Sequence, residues 1–72
     1  MIEVLEEAVV GTKYIRLIKW FQGRLRDYEV EIYEDNRLIF SKEFAGKKEA
    51  KKVFEEKLQE IQFNLSQISF AI

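Results

Sequence analysis

Apolar and polar residues alternate along residues 2–44 and then settle into a helical stripe. Residues 12–22 (TKYIRLIKWFQ) are rich in β-branched and aromatic side chains and predict a strand. Gly23-Arg24 follows, and glycine at the first central position is what a two-residue type II′ hairpin requires. That turn sets a register with Phe21/Arg26, Lys19/Tyr28, Leu17/Val30 and Ile15/Ile32 on one face. The other face receives Trp20/Asp27, Ile18/Glu29, Arg16/Glu31 and Tyr14/Tyr33. Apolar pairs meet on the first face and opposite charges on the second, so a one-residue slip destroys both patterns.

Residues 1–10 fit a helical step through Ile2, Leu5 and Val9 and a strand step through Ile2, Val4, Ala8 and Val10. The strand is preferred because Gly11-Thr12 then turns into the next strand, setting Ala8 against Ile15 and Glu7 against Arg16. Glu6 falls against Leu17 in the same pairing, so a bulge near Glu6-Glu7 is expected. Further on, Glu34-Asp35-Asn36 predicts a three-residue loop that pairs Ile32 with Leu38 and Val30 with Phe40. A two-residue loop is rejected because it turns Leu38 and Phe40 outward. The fourth strand then covers residues 37–44, with Leu38, Phe40 and Phe44 inward, Ile39 outward and Lys42 at the rim.

Residues 47–61 (KKEAKKVFEEKLQEI) carry Ala50, Val53, Phe54, Leu58 and Ile61 three and four apart, the stripe of an amphipathic helix. A helix over 46–62 should cover Ile15, Leu17, Val30, Ile32, Leu38 and Phe40. Its cap is weak, with Gly46 or Ala45 where Ser, Thr or Asp is favoured. Residues 63–72 (FNLSQISFAI) carry no charge. Leu65, Ile68 and Ile72 extend the helical stripe, whereas Ile68, Phe70 and Ile72 alternate as a last strand would. The expected fold is α+β in one small domain: a four-stranded antiparallel meander (2–44), one helix on a single face (46–62) and an apolar tail (63–72).

Composition closes off most chemistry. The chain has 72 residues, 47% hydrophobic and 14% aromatic, without Cys, His or Pro. Disulfides are excluded, and the commonest general base and the best zinc ligands are missing. Gly11, Gly23 and Gly46 form no phosphate loop. No catalytic residue, metal or cofactor is expected. Residues 1–10 lack a basic leader pattern, and the longest uncharged run, 61–72, is short of the ~20 residues a membrane helix needs. A cytoplasmic protein is the expectation.

Charge adds one feature. Lys13, Arg16, Lys19, Arg24 and Arg26 precede a block of acids, Asp27, Glu29, Glu31, Glu34 and Asp35. Alone the basic block reads as a nucleic-acid stripe, but the hairpin register turns the two blocks into a neutralising ladder. Lys47, Lys48, Lys51 and Lys52 crowd the positive end of the helix macrodipole, and the first three mark a candidate anion site.

The sheet face away from the helix carries the candidate site. It displays Tyr14, Arg16, Ile18, Trp20, Tyr33 and Ile39, and a cluster of large side chains there marks contact with something. Phe63, Leu65, Ile68 and Phe70 of the tail are candidate contacts, with the tail either packed across this face of its own chain or exchanged with another copy. The leading expectation is a non-catalytic interaction module that forms a homodimer through this face and the tail, or binds another protein. The alternative is single-stranded nucleic acid, with Trp20, Tyr14 and Tyr33 stacking on bases and Arg16, Lys19 and Lys13 meeting phosphates. Four antiparallel strands followed by a helix are similar in order to the Whirly family of single-stranded-DNA-binding proteins, which is what the resemblance adds to that alternative. A net charge of −1 and the acids Glu29 and Glu31 on the same face argue against it.

Overall fold

A computed structural model of the chain describes residues 1–21 and 26–71, with only the backbone for 67–71. Strands β1 (Ile2–Val10), β2 (Lys13–Trp20), β3 (Tyr28–Glu34) and β4 (Arg37–Phe44) form an antiparallel sheet in the order β1-β2-β3-β4. Helix α1 (Lys47–Ala71) follows and packs on one face, completing the expected ββββα meander.

The β2–β3 pairing is the one that side-chain chemistry demands. Ile15 meets Ile32 and Leu17 meets Val30 on the inner face, while Arg16 meets Glu31 and Tyr14 meets Tyr33 on the outer face. The expected Gly23-Arg24 turn lies outside the described residues; beside it, the Trp20 amide donates to the Asp27 carbonyl at 2.7 Å.

At the β1–β2 turn, Gly11 occupies the left-handed region at φ 62, the role that position requires. Ala8 and Glu7 take their expected partners, Ile15 and Arg16. The bulge falls between Val4 and Glu6, so the extra residue is Leu5 rather than Glu6 or Glu7. The reason is burial: the shift brings Leu5, together with Ala8, against the core.

The β3–β4 connection corrects the expected three-residue loop. Glu34 pairs with Arg37 across a two-residue turn, and both central residues have positive φ, Asp35 at 51 and Asn36 at 66. Positive φ at both positions is the type I′ geometry, whose twist suits a hairpin. The register then shifts between Ile32 and Tyr33, so that Tyr33 faces Leu38, Ile32 faces Phe40 and Val30 faces Lys42. Ile39 is the extra residue of this bulge. The turn and the bulge together keep Phe40 on the core side and send Leu38 outward, 51% exposed. The expected pairs Ile32/Leu38 and Val30/Phe40 do not form. Lys42 is exposed at the rim, its ammonium 5.5 Å from the centre of the Phe44 ring.

Ile15, Leu17, Val30, Ile32 and Phe44 of the sheet pack with Ala50 and Phe54 of α1, flanked by Val53, Leu58 and Ile61. The helix opens with the Ala50 amide donating to the Gly46 carbonyl at 3.2 Å. It runs on to Ala71, past the expected end at 62, because neither Gly nor Pro interrupts it after Gly46. Residues 63–71 are therefore helix and not a last strand. Among the described residues no helix is long and apolar enough to cross a membrane.

This packing sets two substitutions apart. Phe54→Ala should cost about 3–5 kcal/mol in urea unfolding, and Leu38→Ala within about 0.5 kcal/mol. A Leu38→Ala loss as large as that of Phe54→Ala would contradict the β3–β4 register.

Candidate functional site

The outer face is built as rows running across the strands. The row nearest the hairpin turns joins Val9 to Tyr14, Tyr14 to Tyr33 and Tyr33 to Leu38. The next joins Glu7, Arg16, Glu31 and Ser41, and a third joins Val4, Ile18, Glu29 and Glu43. An apolar band thus lies beside a polar row and a mixed one.

Two carboxylates lie deep in this face, Glu29 and Glu31, each 7% exposed. Buried charge is tolerated only where hydrogen bonds replace water. Glu31 Oε1 accepts from Arg16 Nε at 2.6 Å and from the Tyr33 hydroxyl at 3.2 Å. Glu29 Oε1 accepts from Trp20 Nε1 at 2.8 Å, and its Oε2 accepts from the Ser41 hydroxyl. The Tyr14 hydroxyl donates to Glu7 Oε2 at 2.8 Å, and its ring stands 6.2 Å from that of Tyr33. Arg16 also lies over the Tyr33 ring, 5.6 Å from its centre. At the edge, Lys13 Nζ meets Glu34 Oε2 at 2.7 Å, and the Thr12 hydroxyl donates to the same oxygen at 3.3 Å.

These contacts move the ionisations of Arg16, Tyr14 and Glu34. Burial works against the Arg16 charge, but the Glu31 hydrogen bond and charge outweigh it and hold the guanidinium above its ordinary pKa. Burial, then the Glu7 hydrogen bond and charge, raise the Tyr14 phenol. The Lys13 hydrogen bond and charge lower the Glu34 carboxyl.

The structure brings Tyr14, Arg16, Ile18, Trp20 and Tyr33 onto one face, as expected, but not as an exposed apolar cluster. Ile18 is 0% exposed, and Tyr14, Arg16, Trp20 and Tyr33 are half-buried and held by carboxylates. Of the six expected residues only Ile39 is exposed, and it sits at the β4 bulge. Ile39 apart, the exposed apolar groups paired across this face are Val4, Val9 and Leu38. Val9 stands outside the expected set because it borders the band on the edge strand, and Leu38 because the β4 bulge turns it outward; Ser41 faces outward in either register. Cross-strand pairing alone points to Glu7, the partner of Arg16.

One depression on this face, about 540 Å³, is lined by Thr12, Tyr14, Arg16, Tyr33, Asp35 and Asn36. At the helix start, Lys48 and Lys51 line an open hollow with Lys52, but Glu49 and Glu55 line it too, and Lys47 stands outside it. Acids interleaved with these lysines offset the charge an anion would seek. On the far part of α1, Phe63 is 61% and Leu65 43% exposed, while the Ile68 and Phe70 side chains lie outside the described residues. Among the described residues, no group of three or more His, Cys, Asp or Glu is placed to hold a metal ion. No protein-family model matches the chain, and comparison with curated proteins and with solved structures gives no significant match. The likeness to Whirly proteins therefore rests on strand order alone.

Two measurements probe this network. Arg16→Met leaves the Glu31 carboxylate buried without its cation and should destabilise the fold by roughly 3 kcal/mol or more in denaturant unfolding. A near-neutral result would show that the Arg16–Glu31 pair does not hold the outer face together. An NMR titration should give Glu34 a midpoint below the ordinary glutamate range, and Lys13→Met should return it toward that range. Because the folded pKa is the lower one, the pair's contribution to stability is full above the ordinary glutamate range. It is lost as the pH falls through the lowered midpoint.

Proposed function

We propose that this chain is a non-catalytic interaction module that associates with a second copy of itself through the uncharged end of α1. One observation carries the reading. Between residues 47 and 60 the helix is studded with Lys and Glu, and the charges stop at Glu60, just where Ile61 makes the last core contact. The helix nevertheless continues to Ala71 with Phe63 61% exposed and Leu65, though beside the Gly11 turn, still 43% exposed. A helix that meets only water is expected to be polar all round, and an isolated helical end is marginal in water. An uncharged, apolar extension therefore argues for burial against a partner. A chain of 72 residues buries a small core, and a two-fold dimer is the commonest way to add to one.

The nucleic-acid alternative has less support. Of the three cations it assigns to phosphates, Arg16 and Lys13 are paired with Glu31 and Glu34, and Lys19 lies over the Phe21 and Tyr28 rings.

Light scattering over a range of concentrations tests the proposal. The expected result is a mass that rises from monomer to dimer, and Leu65→Glu should keep the helical circular dichroism while shifting the chain to monomer. A wild-type chain that stays monomeric throughout overturns the reading.

A further inference from the structure

We infer that the outer-face band of Val9, Tyr14, Tyr33 and Leu38 is the surface that receives the end of α1 from a second copy of the chain. This rests on the self-association proposed above and names its receiving surface.

The geometry starts from the point where the helix leaves its own sheet. A Leu65 side-chain carbon comes within 3.6 Å of where a β-carbon on Gly11 would stand, so α1 passes the β1–β2 turn at that residue. Six residues remain to Ala71, an advance of roughly 9 Å. The band lies at the same end of the sheet: Val9 and Tyr14 form the pair next to Val10 and Lys13, which close that turn. Its depth from the turn is one or two residues, about 3–7 Å along the strands.

A two-fold axis across the hairpin turns sets the sheets of two copies end to end. The same rotation reverses the partner's faces, so its outer face turns to the side on which the first copy's α1 lies. Each helix then runs behind its own sheet and onward over the outer face of the other. Leu65 lies on the sheet-facing side of α1, as its contact with the Gly11 turn shows. The side of the helix that covers its own core is thus the side that meets the partner, and the arrangement closes without leaving a free copy of either surface.

Chemistry fits the same occupant. The outer face is acidic, with Glu7, Glu29 and Glu31 set among its rows, and like charge placed over them would be costly. Residues 61–72 bring no charged side chain, so only the partial negative charge of the helix's last carbonyls approaches these acids. The segment's covering side is apolar at Ile61 and Leu65, while the band offers exposed Val9 and Leu38 at its two ends and a tyrosine pair between them. The depression of about 540 Å³ lined by Tyr14, Arg16 and Tyr33 lies within reach of this contact.

The test compares full-length variants by sedimentation equilibrium, with circular dichroism to confirm folding. The double substitution Val9→Lys with Leu38→Lys puts charge at both exposed ends of the band. Val4→Lys puts it on the same face but toward the far end, beside Ile18. The band pair should weaken dimerisation by at least about tenfold, and Val4→Lys should leave it within about twofold. If the band pair dimerises like wild type while Leu65→Glu does not, the helix ends pair with each other. This inference then falls and the proposed function stands. A wild-type monomer removes both. Binding of a single-stranded oligonucleotide at low salt, lost in the band pair, would assign the band to nucleic acid and overturn the inference.

Discussion

Pairing of β2 with β3 is the constraint on which the rest of the molecule depends. In one register it puts Ile15, Leu17, Val30 and Ile32 under the helix, and Arg16 against Glu31 on the opposite side. Neither result is available without the other, because side chains alternate between faces. The pairing therefore decides which face has a core and which has a polar network. It also explains how a small sheet carries two carboxylates that are almost fully buried: each lies where donors reach it, Arg16, Trp20 and Ser41 from neighbouring strands and Tyr33 from the same strand. Among the described residues no buried side-chain polar atom is left without a partner.

That central hairpin was legible from residue pattern because both of its faces are patterned at once. Neighbouring strands carry the pattern less plainly. Each edge strand has an extra residue, Leu5 in β1 and Ile39 in β4, and a bulge breaks the alternation from which register is read. At β4 the turn itself misled: Asp35 and Asn36 both adopt the left-handed conformation, which non-glycine residues rarely do in succession. A two-residue turn with a compensating bulge and a three-residue loop both keep Phe40 inward. They differ in the fate of Leu38, and hence in the edge of the candidate site.

The outer face shows the limit of reading exposure from face alone. Tyr14, Trp20 and Tyr33 do share that face, but each spends its polar group on a glutamate of the same sheet. What sequence placed as an open aromatic cluster is a network already satisfied within the chain. The exposed apolar groups are at the margins, in Val4, Val9, Leu38 and Ile39, and on the far part of α1. There the helix continued because nothing in residues 61–71 stops it, and an uncharged composition that reads as strand or helix in isolation takes the conformation already begun.

Helix α1 thus has two parts with different surroundings, one that covers its own core and one whose composition calls for a cover. The central claim is that the second part lies on another copy of the same sheet. An isotope-filtered nuclear Overhauser experiment on a mixture of labelled and unlabelled chains tests it most directly. The account predicts intermolecular contacts from residues of the α1 end to the Tyr14 and Tyr33 rings, alongside an intramolecular contact between Leu65 and Gly11. Intermolecular contacts confined to the helix ends, or none at concentrations where the protein is a dimer, would contradict it.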